Sequence, residues 1–327
     1  MKQCLLSLAS ILLTSCVPYA DFSLPTLPGG PLPEWKLTNV AAPVITRGAA
    51  ADFDSADALN PSVIRRGAQL WNYYSGFDGK TWHTGLAVST DGLQWTKRGK
   101  VLSPDPTTWE GNYIAANGAA IEWNGQIFYY YQANSVPQIG LARSSDGLQF
   151  TKLPQPILPP GPRGSWDERG VADPYVIALN GKLYLYYLGQ DRARRQRLGV
   201  AVSTDGLHWK KLRSNPILEL GEPASFDEKG LGEPAVWTSH GYYFMLYTGR
   251  DKTEHRRMGV AYSQDGVLWK KATAAPFAGQ SPWNRDVICD ATILLENGQL
   301  RVWFGGGDKP EPAENLHGQI TTAILSP

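Results

Sequence analysis

The chain has 327 residues, enough for one large repeat domain, and its charge is balanced, with 31 Lys and Arg against 30 Asp and Glu. That balance excludes nucleic acid as the main partner, since such binders carry a clear basic excess. With 3 Cys and 5 scattered His it holds neither a disulfide framework nor a zinc-type cluster, while 12 Trp, 15 Tyr, 34 Gly and 24 Pro suit many short strands joined by turns.

The N-terminus pairs Lys2 with a short apolar run from Leu5 to Leu13, too short to span a bilayer permanently. Residues 1–15 read as an export signal. It ends in Leu13-Thr14-Ser15-Cys16, which resembles the lipobox of bacterial lipoproteins. The resemblance implies cleavage before Cys16 and a lipid on its sulfur; ordinary cleavage near Ala20, with no lipid, is the alternative. The expectation is an exported monomer held at the outer membrane or cell surface through this anchor alone. Residues 16–50 are predicted to be a lipidated tether and linker, because the stretch from 17 to 34 is rich in Pro, Gly and small residues. The folded domain is then 51–327.

That domain repeats. Ser89-Thr-Asp91-Gly92-Leu-Gln-Trp95, Ser144-Ser-Asp146-Gly147, Ser203-Thr-Asp205-Gly206 and Ser263-Gln-Asp265-Gly266 each follow an alternating strand and precede an aromatic residue. Gly accepts positive φ and Asp bonds its own backbone, so these are tight turns, resembling a shortened sialidase Asp-box. A second column reads Asn60-Pro61, Asn117-Gly118, Asp173-Pro174, Glu233-Pro234 and Asp290-Ala291, at intervals of 57, 56, 60 and 57 residues. Each pair opens an apolar strand, then a Gly-bearing turn, then an aromatic strand such as Tyr184-Leu-Tyr-Tyr187. Upstream sits an aromatic followed by an acid or amide: Phe53-Asp54, Trp109-Glu110, Trp166-Asp167, Phe226-Asp227 and Trp283-Asn284.

Four strands per unit and five units predict an all-β, five-bladed β-propeller with four-stranded antiparallel blades. The fifth unit lacks the Ser-x-Asp-Gly turn, and a strand between residues 35 and 47 is expected to close the ring. The innermost strands start near the axis, so the five column side chains should converge on one central pocket. Close carboxylates repel, and at least one is expected to stay protonated near neutral pH. Glycoside hydrolysis requires that combination of one protonated and one ionised carboxyl.

At this column the chain resembles the five-bladed glycoside hydrolases of families 43, 32 and 68 and the related mannoside phosphorylases of family 130. The best-matching stretches are Trp166-Asp-Glu-Arg-Gly-Val-Ala-Asp173-Pro174 and Phe226-Asp-Glu-Lys-Gly-Leu-Gly-Glu233-Pro234. The resemblance implies that Glu233 is the general acid and Asp173 the residue that orients and tunes it. Where those families place an Asp at the start of blade one, as base or nucleophile, this sequence has Asn60, an amide that can do neither. Asp290 on blade five is the first candidate to replace it, with Asp57 or Asp54 on the loop into blade one as others; a pocket that only binds glycans is the remaining reading. No cofactor is required. An axial Ca²⁺ is compatible with a ring of carboxylates and amides.

The loops between second and third strands should open on the pocket face. In blade three this loop carries Arg192, Arg194, Arg195 and Arg197; in blade four it carries Arg250, Lys252, Arg256 and Arg257. An anionic saccharide would suit such loops, and so would plain solvation. Phosphate is the ligand they would hold in a phosphorylase. Trp82 and His83 occupy the equivalent place in blade one, where a ring can stack on a sugar or pack between blades. Asn60, Asn117, Asp57, Arg169, Arg194, Arg250 and Arg285 complete the candidate substrate-binding set. Cys289 reads as a small buried hydrophobe.

Overall fold

The structure is a computed structural model that describes residues 18–38 and 40–327; the expected signal segment and Cys16 lie outside the described residues. Two short strands, β1 (Tyr19–Ala20) and β2 (Lys36–Thr38), precede the repeats. Blade one holds β3 (Asp57–Arg66), β4 (Gln69–Phe77), β5 (Trp82–Ser89) and β6 (Thr96–Leu102). Blade two holds β7 (Ala115–Trp123), β8 (Gln126–Ala133), β9 (Gln138–Ser144) and β10 (Thr151–Lys152). Blade three holds β11 (Gly170–Leu179), β12 (Lys182–Gln190), β13 (Gln196–Ser203) and β14 (Lys210–Leu212). Blade four holds β15 (Gly230–Ser239), β16 (Tyr242–Arg250), β17 (Arg256–Ser263) and β18 (Lys270–Lys271). Blade five holds β19 (Val287–Glu296), β20 (Gln299–Gly307) and β21 (Gln319–Ser326). Its fourth strand is β2, antiparallel to β21 with Leu37 opposite Leu325. A strand ahead of the repeats and the last strand of the chain therefore share one blade, and the repeat domain begins at Lys36 instead of residue 51.

The predicted tether needs a further correction. Residues 18–30 lie against blades three and four. β1 adds in parallel to β14, Leu24 N donates to Asp265 O at 2.8 Å, and Gly29 N donates to Gly241 O at 2.9 Å. Leu24 is buried, with Phe22 and Leu27 packed beside it. Composition concealed this: the few apolar residues among the Pro and Gly cover surface that blades three and four leave open.

The Ser-x-Asp-Gly turns do two jobs. Within each turn, Ser89 Oγ accepts from Gly92 N at 2.9 Å, and Asp91 Oδ1 accepts from Leu93 N and Gln94 N at 2.8 Å. Gly92, at φ 74°, supplies the left-handed residue. Between blades, a strand-two aromatic donates to the turn carbonyl of the next blade: Tyr73 to Gly147 at 3.0 Å, Tyr130 to Gly206 at 3.0 Å and Tyr186 to Gly266 at 2.9 Å. Trp303 of blade five donates to Gly92 of blade one at 3.0 Å, carrying the same link across the junction of first and last blades. Blade four has Leu246 at this register position, and blade five, which follows it, has no such turn.

The aromatic–acid motif is structural too. Asp54, Glu110, Asp167 and Asp227 each pair with a lysine of their blade's outer strand, namely Lys97, Lys152, Lys211 and Lys271, at 2.5 Å. Each also accepts from a strand-two tyrosine: Tyr74, Tyr131, Tyr187 and Tyr247. In blade five Asn284 replaces the acid and Phe304 stands where the tyrosine would be. The charge and its tyrosine partner are thus lost together, as expected where an unpaired buried charge is costly.

Candidate active site

The five column residues sit where each inner strand bulges. Register shifts interrupt β3, β7, β11, β15 and β19 at these positions. Asn60, Asn117, Asp173, Glu233 and Asp290 all have left-handed backbones, at φ 49°, 48°, 48°, 52° and 59°. Asn and Asp tolerate this region; Glu233 pays about 1–2 kcal/mol for it. A bulge re-aims a side chain, and strain kept at five repeated positions marks a site the surrounding sheets over-determine.

The five side chains line one pocket of about 180 Å³, and a narrower space of about 40 Å³ continues past them along the axis. Asp290 is the most constrained. Its Oδ1 accepts from Asn60 Nδ2 at 2.7 Å and its Oδ2 accepts from the Cys289 thiol at 3.0 Å. An oxygen of Glu233, an oxygen of Asp290 and the sulfur of Cys289 lie within 4.8 Å of one another. Burial first, then the charge of Glu233, pushes Asp173 up to about 7. Burial and the neighbouring, hydrogen-bonded Glu233 hold Asp290 well above the usual carboxylate range. The expected crowding of carboxyls is therefore present, and the crowded members flank Glu233.

Two guanidinium groups offset this charge. Arg250 and Arg256 face each other across β16 and β17 and both line the pocket. Burial and the charge of Arg256 lower Arg250. Burial opposes the charge of Arg256 as well, but Cys289, Glu233 and Asp290 more than restore it. Arg256 belongs to the basic blade-four loop but stands outside the candidate binding set; the signal for it is its register, since the strand-two and strand-three ends line the pocket in blade three as well, with Gln190 opposite Gln196.

Other expected site residues fall elsewhere. Asp54 is held by Lys97 and Tyr74. Asp57 is buried and accepts from the backbone N–H groups of Asn315 at 2.6 Å and Gly318 at 2.7 Å, so it fastens a loop and offers no oxygen to substrate. Trp82 lines the pocket, but its ring stacks on Phe77 with centroids 4.9 Å apart, leaving it 4% exposed. His83 faces the other side of β5, bonded to Ser103 at 2.9 Å, as strand alternation requires. Arg169, Arg194 and Arg285 are exposed and line no part of the pocket, and Arg285 pairs with Asp286. Most charges on the two basic loops are already matched: Arg192 by Glu168, Arg195 and Arg197 by Asp191, Lys252 by Glu228 and Arg257 by Asp251. Cys289 is buried, as its surroundings in the sequence suggested, and burial pushes its thiol well up.

A calcium ion takes six to eight oxygens. Here Asn60 turns its Nδ2 toward Asp290, Asn117 Oδ1 accepts from Ser75 at 3.2 Å, and a thiol stands among the donors. That donor set fits an axial calcium poorly.

Residues 117–272 match the glycoside hydrolase family 130 described as β-1,4-mannooligosaccharide phosphorylase. An uncharacterised protein of Mycobacterium tuberculosis is 27% identical over 222 residues, 64% of this chain and 72% of that protein. A 1,2-β-oligomannan phosphorylase of Thermoanaerobacter is 28% identical over 127 residues, 36% of this chain and 42% of that enzyme. Among solved structures, one reported in work on family-130 glycoside hydrolases that target β-1,2 mannosidic linkages in Candida mannan superposes with a TM-score of 0.67 at 16% identity, over 90% of this chain and 96% of that one. The chain has the fold of the propeller glycoside hydrolases and mannoside phosphorylases. The segment matched by the family begins at Asn117 and includes Asp173, Glu233, Arg250 and Arg256; Asn60 and Asp290 lie outside it.

Proposed function

We propose that the protein cleaves glycosidic bonds in an oligosaccharide, with Glu233 as general acid, Asp173 as the residue that tunes it and Asp290 as the second carboxylate. The observation that carries this reading is the convergence of Asp173, Glu233 and Asp290 on one pocket at three strained bulges. In the first step Glu233 gives its proton to the glycosidic oxygen as the bond to the anomeric carbon breaks. An oxygen of Glu233 and an oxygen of Asp290 lie within 4.8 Å of each other, close enough for the two carboxyls to share a proton. Asp290 in its ionised form would then either take the anomeric carbon or activate the water that does, and water completes the release of the sugar.

Phosphorolysis is the second reading, favoured by Arg250 and Arg256 at the pocket and by the family-130 match. Phosphate then replaces water as the attacking oxygen and the product is a sugar 1-phosphate. The deciding experiment incubates wild type and Glu233→Gln with β-1,2- and β-1,4-mannobiose and a panel of neutral and acidic oligosaccharides, with and without inorganic phosphate. Turnover that needs phosphate selects phosphorolysis. Equal turnover by both proteins rejects Glu233 as the acid; retained binding without turnover by either leaves a glycan-binding propeller.

The N-terminal sequence supports export and lipid attachment at Cys16, which metabolic labelling with a fatty acid, against a Cys16→Ser control, would test.

A further inference from the structure

Blade five joins its second and third strands through residues 308–318, whereas the other blades use 78–81, 134–137, 191–195 and 251–255. The extra length crosses the pocket, where Pro312, Ala313 and Leu316 form a wall. It is tied to three other parts of the ring. Tyr113, ahead of blade two, donates to Glu314 Oε2 at 2.7 Å. In blade four, Arg250 donates to Pro312 O at 2.9 Å, and Arg256 donates to Glu311 O at 3.1 Å and Pro312 O at 3.0 Å. In blade one, Asp57 accepts from the N–H groups of Asn315 and Gly318, and Ala58 N donates to Gly318 O at 3.0 Å. Asn315 and His317 are left-handed, at φ 61° and 58°, a conformation that lasts only where surroundings enforce it. At the loop's base a Cβ on Gly307 would stand 2.2 Å from Leu316 O, so the loop fits one position closely.

These contacts form a chain. Asp57 fixes the C-terminal half of the loop, the loop fixes the carbonyls of Glu311 and Pro312, and those carbonyls orient the two guanidinium groups beside the carboxylates. We infer that Asp57 is a positioning residue for the pocket, acting through loop 308–318 to hold Arg250 and Arg256 against Asp173, Glu233 and Asp290. The inference rests on the proposed reaction only for its consequence in catalysis; the placement of the arginines can be read without turnover.

The test measures two quantities on the full chain, wild type against Asp57→Asn: amide hydrogen exchange of residues 308–318, and the carboxyl titration of Asp173 by ¹³C NMR. An amide side chain cannot accept both N–H groups with the strength of a carboxylate, so the loop should exchange about tenfold faster. With Arg250 and Arg256 released, the Asp173 midpoint should rise by about one pH unit. Simple loss of a negative charge at position 57 would move it the other way, which separates positioning from direct electrostatics. Replacement of residues 309–314 by two glycines leaves Asp57 intact and should give the same rise, covering the case where Asp57→Asn fails to fold. A loop that exchanges unchanged, or an Asp173 midpoint that stays or falls, overturns the inference. Failure of Glu233→Gln to affect turnover would reject the proposed reaction while leaving both of these readouts standing.

Discussion

The side-chain amide of Asn60 donates to Oδ1 of Asp290 at 2.7 Å, so the column members of blades one and five act as a pair across the junction of the ring. The residue that cannot serve as a base is the one that orients the carboxylate proposed to stand in for it. Asn60 N also points at Asp290 Oδ2, at 3.4 Å, and the Cys289 thiol reaches the same oxygen.

Replacing Asn60 should therefore act through Asp290. Asn60→Ala removes the donor and is expected to lower kcat by about tenfold with little change in KM. Asn60→Asp should do worse, by about 100-fold, because a second carboxylate against Asp290 replaces an attraction with a repulsion and raises Asp290 further. Steady-state kinetics on the best substrate of the panel decide this. An Asn60→Asp enzyme as active as wild type would show that Asp290 does not depend on Asn60.

Asp173 gives a pH signature. Its native value of about 7 lies above the ordinary 3.8. Between those values the folded state binds more protons than the unfolded one, so stability declines as pH rises through that window. Asp173→Asn should remove this decline and be about 1–3 kcal/mol more stable than wild type at pH 8, the usual exchange of stability for function at a strained site. Urea denaturation at pH 5 and pH 8 measures it. Parallel behaviour of the two proteins would place the titration elsewhere.

Much of this was legible in the sequence, for a physical reason. The Ser-x-Asp-Gly turns and the strand-start column recur because each blade must solve the same turn and the same bulge, so spacing alone located Asp173, Glu233 and Asp290. The pocket's other contributors come from places where blades differ. Loop 308–318 has no counterpart of its length, and Arg256 matters only because β17 places it opposite Arg250. The basic loops misled in the opposite direction: counting positive residues could not show that Glu168, Asp191, Glu228 and Asp251 already pair with Arg192, Arg195, Arg197, Lys252 and Arg257. Asp54 and Asp57 misled for the same reason, since sequence proximity to Asn60 does not reveal Lys97 or the loop at 315–318.

The Asp167–Lys211 pair, with both side chains fully buried at 2.5 Å, should be among the most mutation-sensitive points of the fold. Lys211→Met strands a buried carboxylate and is expected to cost about 3–5 kcal/mol. Blade five shows what the chain does without such a pair: Asn284 and Phe304 occupy the corresponding places. Combining Lys211→Met with Asp167→Asn and Tyr187→Phe copies that neutral set, and should recover most of the loss in chemical denaturation. If the triple variant is no more stable than Lys211→Met alone, the charge is not what made the single change costly.

The inter-blade links make the last expectation directional. Tyr130→Phe breaks one donor to a turn carbonyl, at Gly206, and should cost about 1 kcal/mol. Leu246→Tyr adds the same donor in blade four, where blade five offers no Ser-x-Asp-Gly turn to accept it. Leu246 is fully buried, so the new hydroxyl would be enclosed without a partner, in a core with no room for the larger ring. The change that makes blade four resemble its neighbours should therefore destabilise by about 2–4 kcal/mol. Thermal melts of the two variants check both signs, and a Leu246→Tyr protein as stable as wild type would mean that the absence of a turn in blade five is not why this position is apolar.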